Sequence, residues 1–183
     1  MTLTEFQRKK LKKLFDAYDF DSSQSIASSD FHAFIDDLAG KLGYQGGSED
    51  YERVKAVFLD FWKGLHQKVG LTQDEEITFD AWLSYFDELL QHENFPSAGI
   101  EGSVELVFNI LDKNADGKIS LEEYTHLLNT WGISEAEING IYSKLDLNGD
   151  GSLTREELSQ LYHQFYYSND PNEPGNSIHG LVA

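Results

Sequence analysis

The stretches DKNADGKISLEE (residues 112–123) and DLNGDGSLTREE (residues 146–157) decide the fold of this chain. They start 34 residues apart and share the pattern D-x-N-x-D-G-x-hydrophobic-[ST]-x-x-E. Oxygen-bearing side chains occupy positions 1, 3, 5, 9 and 12 of each stretch. A glycine occupies position 6, where the chain needs a sharp turn that a side chain would obstruct. Alternating oxygens around such a turn can converge on a hard divalent cation.

Both stretches match the EF-hand calcium loop, a twelve-residue loop between two helices. Position 7 contributes its backbone carbonyl, and the glutamate at position 12 contributes both carboxylate oxygens. The predicted ligands of the first loop are Asp112, Asn114, Asp116, Lys118, Ser120 and Glu123, and those of the second are Asp146, Asn148, Asp150, Ser152, Thr154 and Glu157. We therefore expect two Ca²⁺ ions and leave competition by Mg²⁺ open. Ile119 and Leu153, at position 8, should pair in a short β ladder that couples the sites.

A weaker copy of the loop, DFDSSQSIASSD, covers residues 19–30. Gln24 replaces the turn glycine, where a left-handed backbone costs a non-glycine residue about 1–2 kcal/mol. Ala27 offers no side-chain oxygen at position 9. The candidate ligands are Asp19, Asp21, Ser23, Ser25 and Asp30, the last of them shorter than the usual glutamate. We expect an empty structural loop, and weak binding of a third ion, Ca²⁺ or Mg²⁺, is left open.

A fourth copy, GLTQDEEITFDA at residues 70–81, is found by placing Ile77 at position 8. Positions 1, 3 and 12 are then Gly70, Thr72 and Ala81, so the ligand set is gone and no metal is expected. The chain is thus read as four helix–loop–helix units, of which two are competent and two are decayed.

Apolar residues at helical spacing flank all four loops, which predicts an all-α fold. We expect four EF-hand units in two paired lobes, with short β pairing between the loops. The predicted divisions are an amino-terminal pair at residues 1–91, a linker rich in proline and glycine at 92–102, a carboxyl-terminal pair at 103–167 and a tail at 168–183. The tail ends in Ile178, Leu181 and Val182, and we expect it to fold back over an apolar surface between the halves.

The charge of the chain limits its partners. With 32 acidic and 14 basic residues, the net charge is −18. Such a field repels nucleic acid and anionic membranes, so neither is expected as a partner. The absence of cysteine excludes disulfides and thiol catalysis and is compatible with a reducing compartment. No signal peptide or membrane span is predicted, and we expect a cytoplasmic monomer whose protein partner the sequence does not identify.

Methionine is nearly absent. Met1 is the only one, whereas the chain has 12 Phe, 9 Tyr and 3 Trp. Sensors of the calmodulin kind expose a methionine-rich groove when calcium binds. This chain cannot build that groove, and aromatic side chains pack rigidly. We therefore expect a persistently packed molecule that rearranges modestly on binding calcium.

Four EF-hand units in one chain of this length, followed by the tail segment SNDPNEPGN (residues 168–176), resemble the sarcoplasmic calcium-binding proteins and calexcitins. The resemblance covers the whole chain. It implies a compact two-lobed fold, cytosolic calcium buffering or signalling, and no catalytic residues. The chain departs from that group in which loops survive, because the last two are intact here, whereas the first hands are usually the active ones in the group.

Two alternative functions are left open. Some insect relatives of the group are described as juvenile hormone diol kinases, and calexcitins have been linked to nucleotide binding. A phosphotransferase would ordinarily carry a phosphate-cradling G-x-x-x-x-G-K-[ST] loop, which is absent from this sequence. An enzyme is therefore the weaker alternative.

The other alternative is a carrier of a small aromatic or apolar ligand. Photoproteins and luciferin-binding proteins have a similar build and hold such a ligand in a cavity lined by Trp, Tyr and His. The residues that could line a similar cavity here are Trp62, Trp82, Trp131, Tyr85, His66 and His126. Each of them is also explained by ordinary packing.

Overall fold

The computed structural model describes residues 3–72, 75–92 and 95–181, with the backbone alone for 95–98. The helices are α1 (Glu5–Tyr18), α2 (Ser28–Lys41), α3 (Glu49–Val69), α4 (Phe79–Leu89), α5 (Phe95–Leu111), α6 (Leu121–Thr130), α7 (Glu135–Leu145) and α8 (Arg155–Tyr167). The strands are β1 (Ser25–Ile26), β2 (Ile77–Thr78), β3 (Ile119–Ser120) and β4 (Ser152–Leu153), and a 3₁₀ turn covers Pro174–Ser177.

The strands pair the loops two by two. β1 runs antiparallel to β2 with Ile26 opposite Ile77, and β3 runs antiparallel to β4 with Ile119 opposite Leu153. All four of these side chains are completely buried. The pairing confirms the predicted all-α EF-hand fold with short β ladders, and it confirms Ile77 as position 8 of the decayed second loop.

The longest helix, α3, has a capping residue at each end. The Ser48 hydroxyl accepts a hydrogen bond from the Tyr51 N–H at 3.2 Å, which satisfies one of the free donors of the first turn. Gly70 follows the last residue with a φ of +76°, a left-handed conformation that glycine adopts without strain.

The predicted linker at residues 92–102 is wrong over most of its length, because α5 already begins at Phe95. Pro96 is the second residue of that helix, and a proline is tolerated in the first turn since its missing N–H has no helical partner there. Gly99 and Gly102 then lie inside the helix. The segment between α4 and α5 is therefore short, and residues 93 and 94 within it lie outside the described part of the chain.

One hydrophobic core extends through both halves of the molecule. Phe15, Phe31, Phe34, Phe58 and Trp82 each expose 2% or less of their surface. The Trp82 Nε1–H donates to the Leu11 carbonyl at 3.1 Å, so its polar atom is satisfied within the core. Within the described residues, no helix is both long and apolar enough to span a bilayer.

The tail folds back and is held by a buried lysine. Lys10 of α1 is 1% exposed. Its ammonium donates to the Ser168 carbonyl at 2.7 Å, to Asn176 Oδ1 at 3.0 Å and to the Gln164 carbonyl at 3.3 Å. Three acceptors match the three N–H donors of the ammonium. The contact joins the first helix to the end of the chain.

Further along the tail, Ile178 is 1% exposed and its carbonyl accepts a hydrogen bond from the Tyr124 hydroxyl. Leu181 was expected to pack with it, but it is 48% exposed. The reason is that Gly180, with a φ of +95°, turns the chain against Ile133 and Lys13 and leaves the next side chain outside. Val182 lies outside the described residues.

Candidate metal centre

Loop 112–123 holds its carboxylates at fixed positions. Asp112 accepts hydrogen bonds from the Asp116 N–H at 3.1 Å and the Gly117 N–H at 3.0 Å. Glu123 accepts one from the Lys113 N–H at 3.0 Å and another from the Ser120 N–H at 2.9 Å. The backbone of the loop thus orients the carboxylates at positions 1 and 12. Gly117 has a φ of +78°, which explains the glycine at position 6.

Loop 146–157 repeats this arrangement. Asp146 accepts hydrogen bonds from the Asp150 N–H at 3.2 Å and the Gly151 N–H at 2.8 Å. Glu157 accepts one from the Leu147 N–H at 3.1 Å and two from Thr154, whose N–H and hydroxyl both lie 2.9 Å away. Both position-12 glutamates therefore connect the two ends of their loops, and each is only 7% exposed.

The side chains at positions 3 and 5 contact each other in both loops. The Asp116 N–H donates to Asn114 Oδ1 at 3.0 Å, and the Asp150 N–H donates to Asn148 Oδ1 at 2.8 Å. A hydrogen bond from the Ser152 hydroxyl lowers the pKa of Asp150, so this carboxylate is ionised at neutral pH. Charged carboxylates and amide oxygens form a donor set that fits Ca²⁺.

A tyrosine connects the two loops, which the sequence analysis did not foresee. The Tyr142 hydroxyl of α7 lies 2.8 Å from the Ile119 carbonyl and 3.1 Å from the Gly151 carbonyl. Burial raises the pKa of Tyr142, so the hydroxyl keeps its single proton and shares it between these two acceptors. The hydroxyl lies next to the β pairing of Ile119 with Leu153. The signal in the sequence is a tyrosine four residues before a loop, which is too common to be selected without coordinates.

Loop 19–30 has the same scaffold with poorer residues. Asp19 accepts hydrogen bonds from the Ser23 and Gln24 N–H groups, both at 2.9 Å, and Asp30 accepts from the Asp21 and Ala27 N–H groups. Gln24 adopts the left-handed backbone that a glycine would prefer, with a φ of +74°.

Three carboxylates of this loop, those of Asp19, Asp21 and Asp30, each place an oxygen within 4.8 Å of the others. The shorter aspartate at position 12 brings its carboxylate close to the other two. Ser23 and Ser25 complete the rim through their hydroxyls, which lie 3.3 Å apart.

In loop 70–81, internal hydrogen bonds lie where an EF-hand loop would hold an ion. The Glu75 carboxylate accepts from the Thr72 N–H and hydroxyl, both at 2.8 Å. His66 is 1% exposed, and its Nε2 lies 2.8 Å from the Glu75 carbonyl. Residues 73 and 74 lie outside the described part of the chain. This histidine has a structural partner and holds the loop against α3.

Only some of the residues that were expected to line a ligand cavity do so. Trp82 and Tyr85 line a cavity of about 430 Å³, and Trp131 lines a smaller one next to it. Trp62 packs against Phe31 and His66 in the core, and His126 is on neither wall. The histidine that lines both cavities is His179, which only the folded-back tail brings there.

Known proteins resemble this chain both in sequence and in structure. The family model described as EF hand matches residues 104–128 and 143–162, which contain both intact loops. Calerythrin from Saccharopolyspora erythraea is 27% identical over 130 residues, covering 70% of this chain and 73% of calerythrin. Calexcitin-1 from Caenorhabditis elegans is 21% identical over 182 residues, covering 97% of this chain and 87% of that protein.

Two solved structures show the same fold. The coelenterazine-binding protein from Renilla muelleri, in its calcium-loaded apo form, has a TM-score of 0.79 at 20% identity and covers 98% of this chain and 100% of its own. The sarcoplasmic calcium-binding protein from amphioxus has a TM-score of 0.72 at 21% identity and covers 99% of this chain and 100% of its own.

Proposed function

We propose that this chain, which resembles the sarcoplasmic calcium-binding proteins and calexcitins, binds two calcium ions in loops 112–123 and 146–157. Its role is then that of an intracellular buffer or a calcium-responsive signalling protein. The supporting observation is the shared scaffold, in which backbone N–H groups orient the carboxylates at positions 1 and 12 of both loops. The proposed ligands are the residues at positions 1, 3, 5, 7, 9 and 12 of each loop.

The packing of the core and the tail supports a molecule whose structure changes little when calcium binds. The core is continuous through both halves, and Lys10 joins α1 to the tail. Opening a groove would separate these contacts. We therefore propose a non-catalytic monomer in the cytoplasm, in which calcium stabilises an already closed fold by binding the native state. Two ions would bring the formal charge from −18 to about −14 and so reduce self-repulsion.

Calorimetric titration of the metal-free protein with calcium is expected to give two ions per chain, with and without Mg²⁺. In Asp19→Ala the stoichiometry should stay at two, because the two intact loops hold the ions. The same variant should lose about 1–3 kcal/mol of stability in thermal unfolding, since the N–H groups of Ser23 and Gln24 lose their acceptor.

Asp19→Asn is the matched control for this prediction, because it removes the charge and keeps one of the two acceptor oxygens that Ser23 and Gln24 use. Its calcium stoichiometry should also be two, and its melting temperature should lie between those of the parent and Asp19→Ala. A parent that takes up three ions, with one lost in both variants, would place an ion in loop 19–30 and contradict the proposed count.

Tyr142→Phe is expected to reduce the coupling between the two calcium sites. The change removes the hydroxyl that donates to the Ile119 and Gly151 carbonyls. A hydrogen bond of this kind contributes about 1 kcal/mol, so the overall calcium affinity should fall roughly fivefold and the Hill coefficient should approach one. Calcium titration followed by calorimetry measures both quantities.

Tyr51→Phe is the control for that change, since it removes a tyrosine hydroxyl that donates to Asp36 at 2.6 Å, away from the two intact loops. Its calcium titration should match that of the parent. An unchanged Hill coefficient in Tyr142→Phe would mean that the β ladder alone couples the sites.

A further inference from the structure

A cavity of about 430 Å³ lies between α1, α3, α4, α5 and α8. This volume falls in the range of roughly 300–1,000 Å³ that is typical of small-molecule sites. Aromatic side chains form about a third of its wall, among them Tyr18, Phe61, Trp82, Tyr85, Phe86 and Tyr162. Gly64 of α3 and Gly102 of α5 also line it, and a Cβ built on either glycine meets no atom within 4 Å. Neither glycine adds a side chain to the wall, and Gly102 is exposed to solvent there.

One histidine on the wall has no hydrogen-bond partner among the described residues. His179 is 6% exposed, and neither its Nδ1 nor its Nε2 is bonded to another described residue. Its ring is surrounded by those of Trp131, Tyr162 and Phe165, with centroids 5.2, 5.8 and 4.8 Å away. The nearby Trp131 Nε1–H is also buried without a partner in this part of the chain. A buried polar atom left unbonded costs about 1–3 kcal/mol.

The protonation state of this histidine determines what it can bind. Burial lowers the pKa of His179 to about 3, so its imidazole is neutral at pH 7. A neutral imidazole has one N–H donor and one nitrogen that accepts a hydrogen bond. A hydroxyl group can satisfy either of them, because it both donates and accepts.

The charges around the cavity argue against an anionic ligand. Asp60, Glu105 and Lys68 line it together, so the wall carries no excess of positive charge. The net charge of −18 also disfavours an anion. Aromatic walls without a strong charge suit an uncharged aromatic molecule.

We propose that this cavity binds an uncharged aromatic molecule bearing a hydroxyl group, and that the hydroxyl is hydrogen-bonded to the imidazole of His179. Occupation explains both the cavity and the unbonded histidine. This binding function is separate from the two calcium loops, so each can be tested without the other.

The test uses 1-naphthol and naphthalene as probes on the full-length, calcium-loaded protein. Equilibrium dialysis should show saturable binding of one 1-naphthol per chain, about fivefold tighter than naphthalene, because naphthalene lacks the hydroxyl. In His179→Phe this preference should disappear, while naphthalene should bind as it does to the parent. Phenylalanine preserves the ring packing, and calcium titration of the variant checks that the loops remain intact.

Gly64→Leu and Gly102→Leu should each weaken binding of both probes at least tenfold, because the new side chain enters the cavity. Leucine is favoured over glycine inside a helix, so both variants should remain folded. Gly140→Leu is the matched control, since Gly140 is an exposed residue of α7 that does not line the cavity, and it should bind like the parent.

Three results would overturn the proposal. One is the absence of saturable 1-naphthol binding, which would leave buried water as the partner of His179. Another is unchanged binding in both cavity-filling variants, which would place the probe elsewhere. The last is a preference for 1-naphthol that persists in His179→Phe.

Discussion

Glu157→Gln is expected to weaken the last calcium site at least about 100-fold, a loss of about 3 kcal/mol. The amide removes one unit of negative charge from the proposed position-12 ligand of a divalent ion. Two unit charges 4 Å apart attract by about 4 kcal/mol at an effective dielectric constant near 20, so a divalent ion loses several kcal/mol. The amide also gives up one of the two oxygens with which the glutamate clamps the ion. Calorimetric calcium titration measures the loss directly.

The change should affect the other loop less. Ile119 pairs with Leu153, and Tyr142 joins the two loops, so an empty last site lowers the affinity of loop 112–123 only through these contacts. We expect an effect of about tenfold or less there, consistent with a coupling of about 1 kcal/mol.

Glu156→Gln is the matched control for Glu157→Gln. It removes the same charge from the neighbouring residue, which is exposed and is not a predicted ligand. Its two calcium affinities should stay within about twofold of the parent, because exposed charges are screened. If Glu157→Gln titrates like Glu156→Gln, the ligand assignment of loop 146–157 is wrong.

The structural features that could be predicted from the sequence are those whose residues lie close together along the chain. Each intact loop contains its candidate ligands within twelve residues, and the β pairing follows from position 8 alone. For that reason Ile77 could be placed opposite its partner even though loop 70–81 has lost its ligands.

The features that were missed depend on contacts between distant residues. Lys10 and Asn176 are 166 positions apart, so the local sequence around either residue does not predict their hydrogen bond. His179 reaches the cavity wall only because the tail is docked, whereas His66 and His126, which could have lined a cavity, are on neither wall. Gly99 and Gly102 were predicted to be linker residues because a segment with a proline and several glycines is typical of a linker, whereas the segment forms the first turns of α5.

Gly175→Ala is expected to lower the stability of the protein by about 2–3 kcal/mol, since overpacking a buried site costs about this much. A Cβ at this position would lie 2.2 Å from the Leu161 carbonyl oxygen and 2.7 Å from Gln164 Cβ. Neither atom can move cheaply, because Leu161 is completely buried in the middle of α8. The tail must therefore shift, and the Gly175 N–H, which donates to Gln164 Oε1 at 2.8 Å, is displaced with it.

The measurement is thermal unfolding of the calcium-loaded protein, where a loss of this size should lower the melting temperature by about 5–10 °C for a chain of this length. Leu181→Ala is the control, because that side chain is 48% exposed and its removal should change stability by less than about 0.5 kcal/mol. The docked tail also places Asn176 against α1 and Ile178 against α6. A shifted tail should therefore make the segment after α8 more sensitive to proteolysis. Equal melting temperatures for Gly175→Ala and the parent would show that the tail does not pack against α8 in solution.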